Sequence, residues 1–442
     1  MSLTLTLSPT IAPPAGVVAA HGAGFSASDV IDVSFDTTPI AVAAADATGA
    51  FTVAIVVPTA ALPGRHSIVA SRRRDATGIE ANLAVLCDWP QFRGSPAHKG
   101  HNVFENVLNP GTVGGLDTAW VAKTGSAVDS SPAVASGIVY VGSSDGKVYA
   151  FNAATGAPVW TATTQSEVIS SPAVIGGIVY VGSRDGKLYA FNAATGASVW
   201  AAAIGREVLS SPTAAGGIVY VGAGDNKLHA FNAATGAPVW TAATGGEVFS
   251  SPAVANGLVY FGSLDGLLYA CDAATGTQLW TAGGGGVGIQ SSPAVANGLV
   301  YVGSGGAGLL AFNALTGAAV WTATTTAAVF SSPAVANGIV YVGAQDNKLC
   351  AINAYVATTV WTVTTANFVD SSPAVAEGVV YAGSMDGNLY AFNAETGGLP
   401  WRAVTGGGVI SSPAVASGAV YVGSQDGNLY AFGLLGPVPP LF

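Results

Sequence analysis

Charge is scarce in this chain. Only 9% of its 442 residues are charged, and 24 acids against 14 bases leave a net charge of −10. That balance excludes a basic nucleic-acid binder, because phosphate recognition needs clustered Lys and Arg. Disorder is excluded as well: hydrophobic residues make up 50% of the chain, whereas disordered segments are apolar-poor. Long apolar runs are also missing. Mean hydropathy is +0.49, yet Gly, Ser, Asp or Pro cut every apolar stretch short of the ~20 residues that a membrane span requires. The opening residues, Met1 to Leu7, lack the basic and apolar regions of a secretory leader. Either a leader has been trimmed, or the chain stays inside, or it leaves by another route. Cysteine is limited to Cys87, Cys271 and Cys350, with no metal-ligand spacing. Cys271 and Cys350 fall in non-adjacent repeats, so buried thiols are expected rather than a disulfide. No P-loop, HExxH, CxxC or Gly-x-Ser-x-Gly motif is present.

What the chain has in excess is repetition. Ser-Ser-Pro recurs with its proline at Pro132, Pro172, Pro212, Pro252, Pro293, Pro333, Pro373 and Pro413. Tryptophan recurs at Trp120, Trp160, Trp200, Trp240, Trp280, Trp321, Trp361 and Trp401. Both series step by 40 residues with a single 41, the extra residue lying in the run Gly283 to Gly286. One unit holds four short runs rich in Val, Tyr and Ile, separated by Gly-containing turns: Ser130–Gly137, Ile138–Gly142, Lys147–Asn152 and Ala157–Trp160. This reads as four antiparallel strands, A to D, joined by hairpins. Strand B is almost wholly apolar, so both of its faces are buried. A small sheet buried on both faces needs a like sheet on each side, and repetition at about 40 residues then gives a β-propeller. The Pro of Ser-Ser-Pro opens strand A, an inner edge that tolerates a missing N–H. Trp sits on outer strand D, where its ring fills the widening gap between blades.

The two series are out of phase. Trp120 precedes the first Ser-Ser-Pro, and the last unit runs out through Gly433 to Phe442 without a Trp. Residues 114–123 are therefore expected to supply strand D of the last blade and close an eight-bladed ring without open edges. The expected fold class is all-β: an eight-bladed propeller over residues 114–442, a lead-in over 87–113 and a β-sandwich over 1–86.

The near-verbatim run Ala150 to Gly156 followed by Trp160 resembles the tryptophan-docking repeat of the quinoprotein family of PQQ-like propellers. That family holds both pyrroloquinoline quinone dehydrogenases and non-catalytic, BamB-like members. Trp89 to Gly94 is similar to the lead-in of such propellers. The resemblance covers about residues 88 to 432 and implies the fold more than the activity. Its dehydrogenases carry an adjacent Cys-Cys pair, Ca²⁺ ligands and a catalytic Asp. This chain has no adjacent cysteines and no long insertions, so no cofactor, no bound metal and no enzyme activity are expected.

Residues 1 to 86 lie outside the repeat. Alternating runs at Leu3–Leu7, Val30–Phe35, Phe51–Val57, His66–Ala70 and Ala81–Leu86 predict strands of a small β-sandwich. Gly22 to Phe25, Asp46 to Phe51 and Pro63 to His66 are similar to bacterial immunoglobulin-like modules of surface proteins. That implies a spacer or adhesive role and an extracellular, cell-surface or periplasmic location. Arg72, Arg73 and Arg74 read as a solvated hairpin loop. His98 and His101 read as part of a polar linker, for no third metal ligand lies nearby, and His229 as a packed substitute for Tyr149 and Tyr189. The recurring Asp145, Asp185, Asp225, Asp265, Asp346, Asp386 and Asp426 read as turn residues, absent only from the fifth unit at Gly305 to Gly308.

Alternating strand direction places the D–A connections and B–C turns on one rim. There the repeats diverge. Asp129, Ile169, Leu209, Phe249, Gln290, Phe330, Asp370 and Ile410 precede Ser-Ser-Pro, while Arg184 and Met385 lie in B–C turns. An apolar-centred, variable rim is the expected contact surface for a protein or cell-surface partner. The alternatives are a quinone-dependent oxidoreductase, a carbohydrate-binding surface protein, and a ring that merely plugs the channel.

Overall fold

The computed structural model describes residues 2–283, 286–306 and 308–434, and divides into two compact units. The centre of the glycine run, Ala307 of the fifth B–C turn and the tail from residue 435 lie outside the described residues.

The first unit runs to Asp88 and includes Phe104–Val107. One sheet holds Thr4–Ser8, Val17–Ala23 and Phe51–Val56. The other runs in the order Ile11–Ala12, Gly78–Val85, Gly64–Arg72, Val30–Phe35, Thr38–Ala44. Inward-facing residues of both, among them Val18, Ile31, Val33, Ile55, Ile68 and Leu83, form a single core. Three of these strands escape the sequence reading: Ile11–Ala12, which is only two residues, and Val17–Ala23 and Thr38–Ala44, whose alternation alanine dilutes. The Arg triplet is tied to acids of its own unit: Arg73 to Asp32, Arg74 to Asp29 and Arg72 to Asp75.

The second unit is a β-propeller of four-stranded blades. The first blade is Ala133–Ala135, Ile138–Ser143, Lys147–Asn152 and Pro158–Thr163, each strand antiparallel to the next. Six further sheets repeat this order, and an eighth joins Ala414–Ala416, Ala419–Gly423 and Asn428–Leu434 to Leu116–Lys123. The strand before the first repeat thus completes the last sheet, as its lone tryptophan implied.

Two sets of contacts knit neighbouring blades together. On the outside, Trp160 Nε1 and Tyr140 Oη donate to the Ala193 carbonyl of the next blade, at 2.8 and 3.1 Å. At the joint between chain ends, Trp120 and Tyr421 do the same to Ala153. Each ring needs a flat seat. A Cβ on Gly236 would lie 2.6 Å from Trp200, and φ there is +70°, so the Gly of Ala-Ala-Thr-Gly is demanded twice over. On the inside, the second Ser of each Ser-Ser-Pro donates its backbone N–H to the same Ser Oγ of the next blade. The chain of bonds runs 131→171→211→251→292→332→372→412→131 at 2.9–3.0 Å and closes on itself. The first Ser instead accepts the N–H of a strand-B glycine of its own blade, as Ser130 does from Gly142 at 3.0 Å.

Candidate functional site

One residue before each rim candidate stands a valine or isoleucine that is fully buried: Val128, Val168, Val208, Val248, Ile289, Val329, Val369 and Val409. Each packs over a strand-B glycine. A Cβ on Gly182, for instance, would come within 2.4 Å of Val208. This buried tier fixes the connection, and the following residue turns toward the mouth of the channel. Ile169, Leu209, Phe249, Phe330, Ile410, Asp129 and Asp370 are half-buried there, and Gln290 is exposed. Of the two B–C turn candidates, Met385 is half-buried and Arg184 exposed, bonded to Glu167 at 2.8 Å.

The two acids of this ring are held similarly. Gln425 donates to Asp129 at 3.2 Å and Gln345 to Asp370 at 3.4 Å. Burial raises the pKa of both carboxyls above the ordinary range. The turn aspartates do different work. Asp185 accepts Lys187 N, Tyr189 Oη and Gln165 N at 2.7–3.0 Å, so it ties its own turn to the neighbouring connection. In the third blade His229 takes the tyrosine's place and bonds Asp225 at 3.0 Å. Burial works to raise Asp386, but hydrogen bonds from Asn388 and Tyr390 hold its carboxyl below the usual range.

The other end of the channel is occupied by the lead-in. Trp89 pairs with Val134 of the first blade, and the carbonyls of Pro90, Pro96, Ala97, Lys99 and Gly100 accept the N–H groups of Val174, Val254, Val295, Val335 and Val375 in turn. Gln91 accepts from Ala214, and Asn102 donates to Val415. One stretch therefore touches the inner strand of every sheet. The expectation of a polar linker fails here: His98 is fully buried, bonded to Thr213 Oγ1 at 2.9 Å, and packed edge-on against Phe92. Burial, with the charge of Arg93 second, depresses its pKa to about 3. Arg93 is 2% exposed, and its guanidinium donates to the Pro333 and Pro373 carbonyls. The sequence reading recognised Trp89–Gly94 as a lead-in but not its contact with the inner strand of every sheet; the buried-type residues Trp89, Phe92 and Arg93 were the available signal.

A polar cleft of about 290 Å³ opens on the variable rim, lined by Arg184, Arg206, Glu207, Gly224 and Glu247 among others. Of the rim candidates only Arg184 lines it.

Stacked four-stranded blades, Trp-to-carbonyl docking between them and a strand borrowed from the front of the chain define a repeat-built β-propeller. The family description of the β-propeller of the beta-alanine-activating enzyme matches residues 124–338, and that of the outer membrane protein assembly factor BamB matches residues 357–434. Among solved structures, BamB from Moraxella catarrhalis is 22% identical, with a TM-score of 0.64 over 72% of this chain and 99% of that one. Quinohemoprotein alcohol dehydrogenase from Comamonas testosteroni is 18% identical, with a TM-score of 0.71 over 80% and 81%. A europium-containing methanol dehydrogenase is 15% identical, with a TM-score of 0.69 over 78% and 98%. No curated protein sequence matches the chain. The chain is thus similar to PQQ-like, BamB-type β-propellers, and the solved structures show the fold it shares with them.

Quinone cofactors of this family carry several carboxylates, so a site for one needs free cationic donors. At the channel mouth the charged ring residues are Asp129 and Asp370, and the guanidinium of Arg93 is already engaged by two proline carbonyls. Neither the two ring acids nor Arg93 offers a free cationic donor to such a group.

Proposed function

We propose that this protein is a non-catalytic scaffold: an eight-bladed propeller whose D–A/B–C rim binds a protein or cell-surface partner, carried on an immunoglobulin-like sandwich that acts as a spacer outside the cytoplasm. One observation carries the reading. Ile169, Leu209, Phe249, Phe330 and Ile410 stand half-exposed at the channel mouth above a tier that is already fully buried. They are not needed to complete the core, and partly exposed apolar residues clustered within a polar rim are characteristic of contact surfaces. The lead-in supports the same face, because it occupies the opposite end of the channel.

The test is partner capture from the native host with Phe249→Asp and Phe330→Asp combined. Capture should be lost while the circular dichroism spectrum and melting temperature stay unchanged; retained capture counts against this face. Two structural neighbours are dehydrogenases, which favours oxidoreduction as the second reading. Incubation with pyrroloquinoline quinone and Ca²⁺, followed by desalting, should then leave a bound chromophore; the scaffold reading expects none.

A further inference from the structure

Gly224 occupies the B–C turn position that holds Arg184, Leu264, Gln345, Met385 or Gln425 in five other repeats. Its backbone lies outside the left-handed region, and a Cβ there would sit 3.2 Å from Glu207 Cγ and 3.7 Å from Arg206 Cβ. Gly224 therefore carries no side chain into the cleft that it lines together with the second B–C turn and the connections after the second and third blades. The cleft's charges are unusual for so uncharged a chain. Arg184 is neutralised by Glu167, but no hydrogen bond or ion pair engages the side chains of Arg206, Glu207 and Glu247 among the described residues. One such cation and two such anions line the same cleft. The volume, about 290 Å³, lies at the lower edge of the roughly 300–1,000 Å³ typical of small-ligand sites. It admits a few side chains of a peptide.

We propose that this cleft reads a basic polypeptide segment in which one acidic residue is flanked by two basic ones, the acid meeting Arg206 and the bases meeting Glu207 and Glu247. This rests on the partner-binding reading of the rim and adds the partner's chemistry. Oppositely charged groups on the segment give it selectivity over a merely cationic one. The contacts are solvent-exposed, so binding is weak and salt-sensitive.

Fluorescence anisotropy on the full chain at low salt tests it with two labelled peptides, Gly-Lys-Glu-Lys-Gly and its charge-reversed form Gly-Glu-Lys-Glu-Gly. The first should bind at least about tenfold more tightly, a difference worth roughly 1.4 kcal/mol. Gly224→Gln, which fills the hollow with a side chain other turns already carry, should abolish that preference, as should Glu207→Gln with Glu247→Gln. Glu395→Gln, exposed on a C–D turn of the seventh blade, should leave it unchanged. Equal binding of the two peptides, or full preference retained in Gly224→Gln, overturns the proposal. The rim reading stands or falls separately, on partner capture by the Phe249 and Phe330 variants.

Discussion

His98 shows how much one residue can change meaning between sequence and fold. Exposed, it would titrate near 6.5; buried in the propeller axis, its pKa falls to about 3. Between those values the unfolded chain binds a proton that the folded chain refuses, so this residue makes stability fall as pH is lowered from 6.5 toward 3. All nine Trp lie at or beyond Trp89, so tryptophan fluorescence follows the propeller. The urea midpoint should drop between pH 7 and pH 4.5, and His98→Gln should shrink that drop; an identical drop in the variant would assign it to carboxylates instead. Glycine gives a second residue-scale test. Gly217 and Gly236 share the left-handed backbone, but a Cβ meets nothing within 4 Å at Gly217 and meets Trp200 at Gly236. Gly217→Ala should cost only the roughly 1–2 kcal/mol of a left-handed alanine. Gly236→Ala should cost clearly more, since the indole must leave its seat. Thermal unfolding of the pair separates the two effects.

At the scale of strands, Ser-Ser-Pro carries more than an edge proline. Its two hydroxyls serve different partners: the first satisfies a strand-B glycine N–H, and the second receives the next link of the inner girdle. Replacing Ser211 with Ala leaves the Ser171 N–H buried without an acceptor, which typically costs about 1–3 kcal/mol. Substituting the neighbouring Ser210 should cost a similar amount by stranding Gly222 N–H instead. Chemical denaturation of both single variants checks this. The strands themselves were legible in the sequence, because Val-Tyr-Val runs between Gly turns admit little else and the Trp spacing fixed their order. The girdle was not, since a serine pair repeated every 40 residues reads equally well as turn chemistry. The lead-in was hidden for another reason. Its pairing partners are inner strands separated from it by up to 313 residues, and no local pattern announces so distant a contact. The candidate rim is proposed from the sequence alone, because repeats that agree nearly everywhere else diverge there. Its cleft is not, for a hollow lined by Gly224 appears only once the neighbouring connections are placed.

Across the whole ring, every blade-to-blade joint is crossed by continuous chain, residues 124–132 carrying it from the last sheet into the first. The covalent break lies inside the last sheet, where Leu116–Lys123 pairs with Asn428–Leu434 without a hairpin between them. In repeat architectures stability is approximately a sum of units and nearest-neighbour interfaces, so equal damage at different joints should cost similar free energy but open different regions. Trp120→Ala and Trp280→Ala remove comparably buried rings that dock in the same way. Each should cost roughly 3–5 kcal/mol at equilibrium. Their hydrogen exchange should differ. With Trp280→Ala the outer strand is still joined to its sheet partner by the C–D turn, and faster exchange should stay local. With Trp120→Ala the clasp strand can peel from its partner, because no peptide bond holds it there. Protection should then fall across residues 116–123 and 428–434 together, while the middle blades keep theirs. If the two variants lose protection in the same distributed way, the latch is not the weak joint, and the ring opens by some route other than the meeting of its ends.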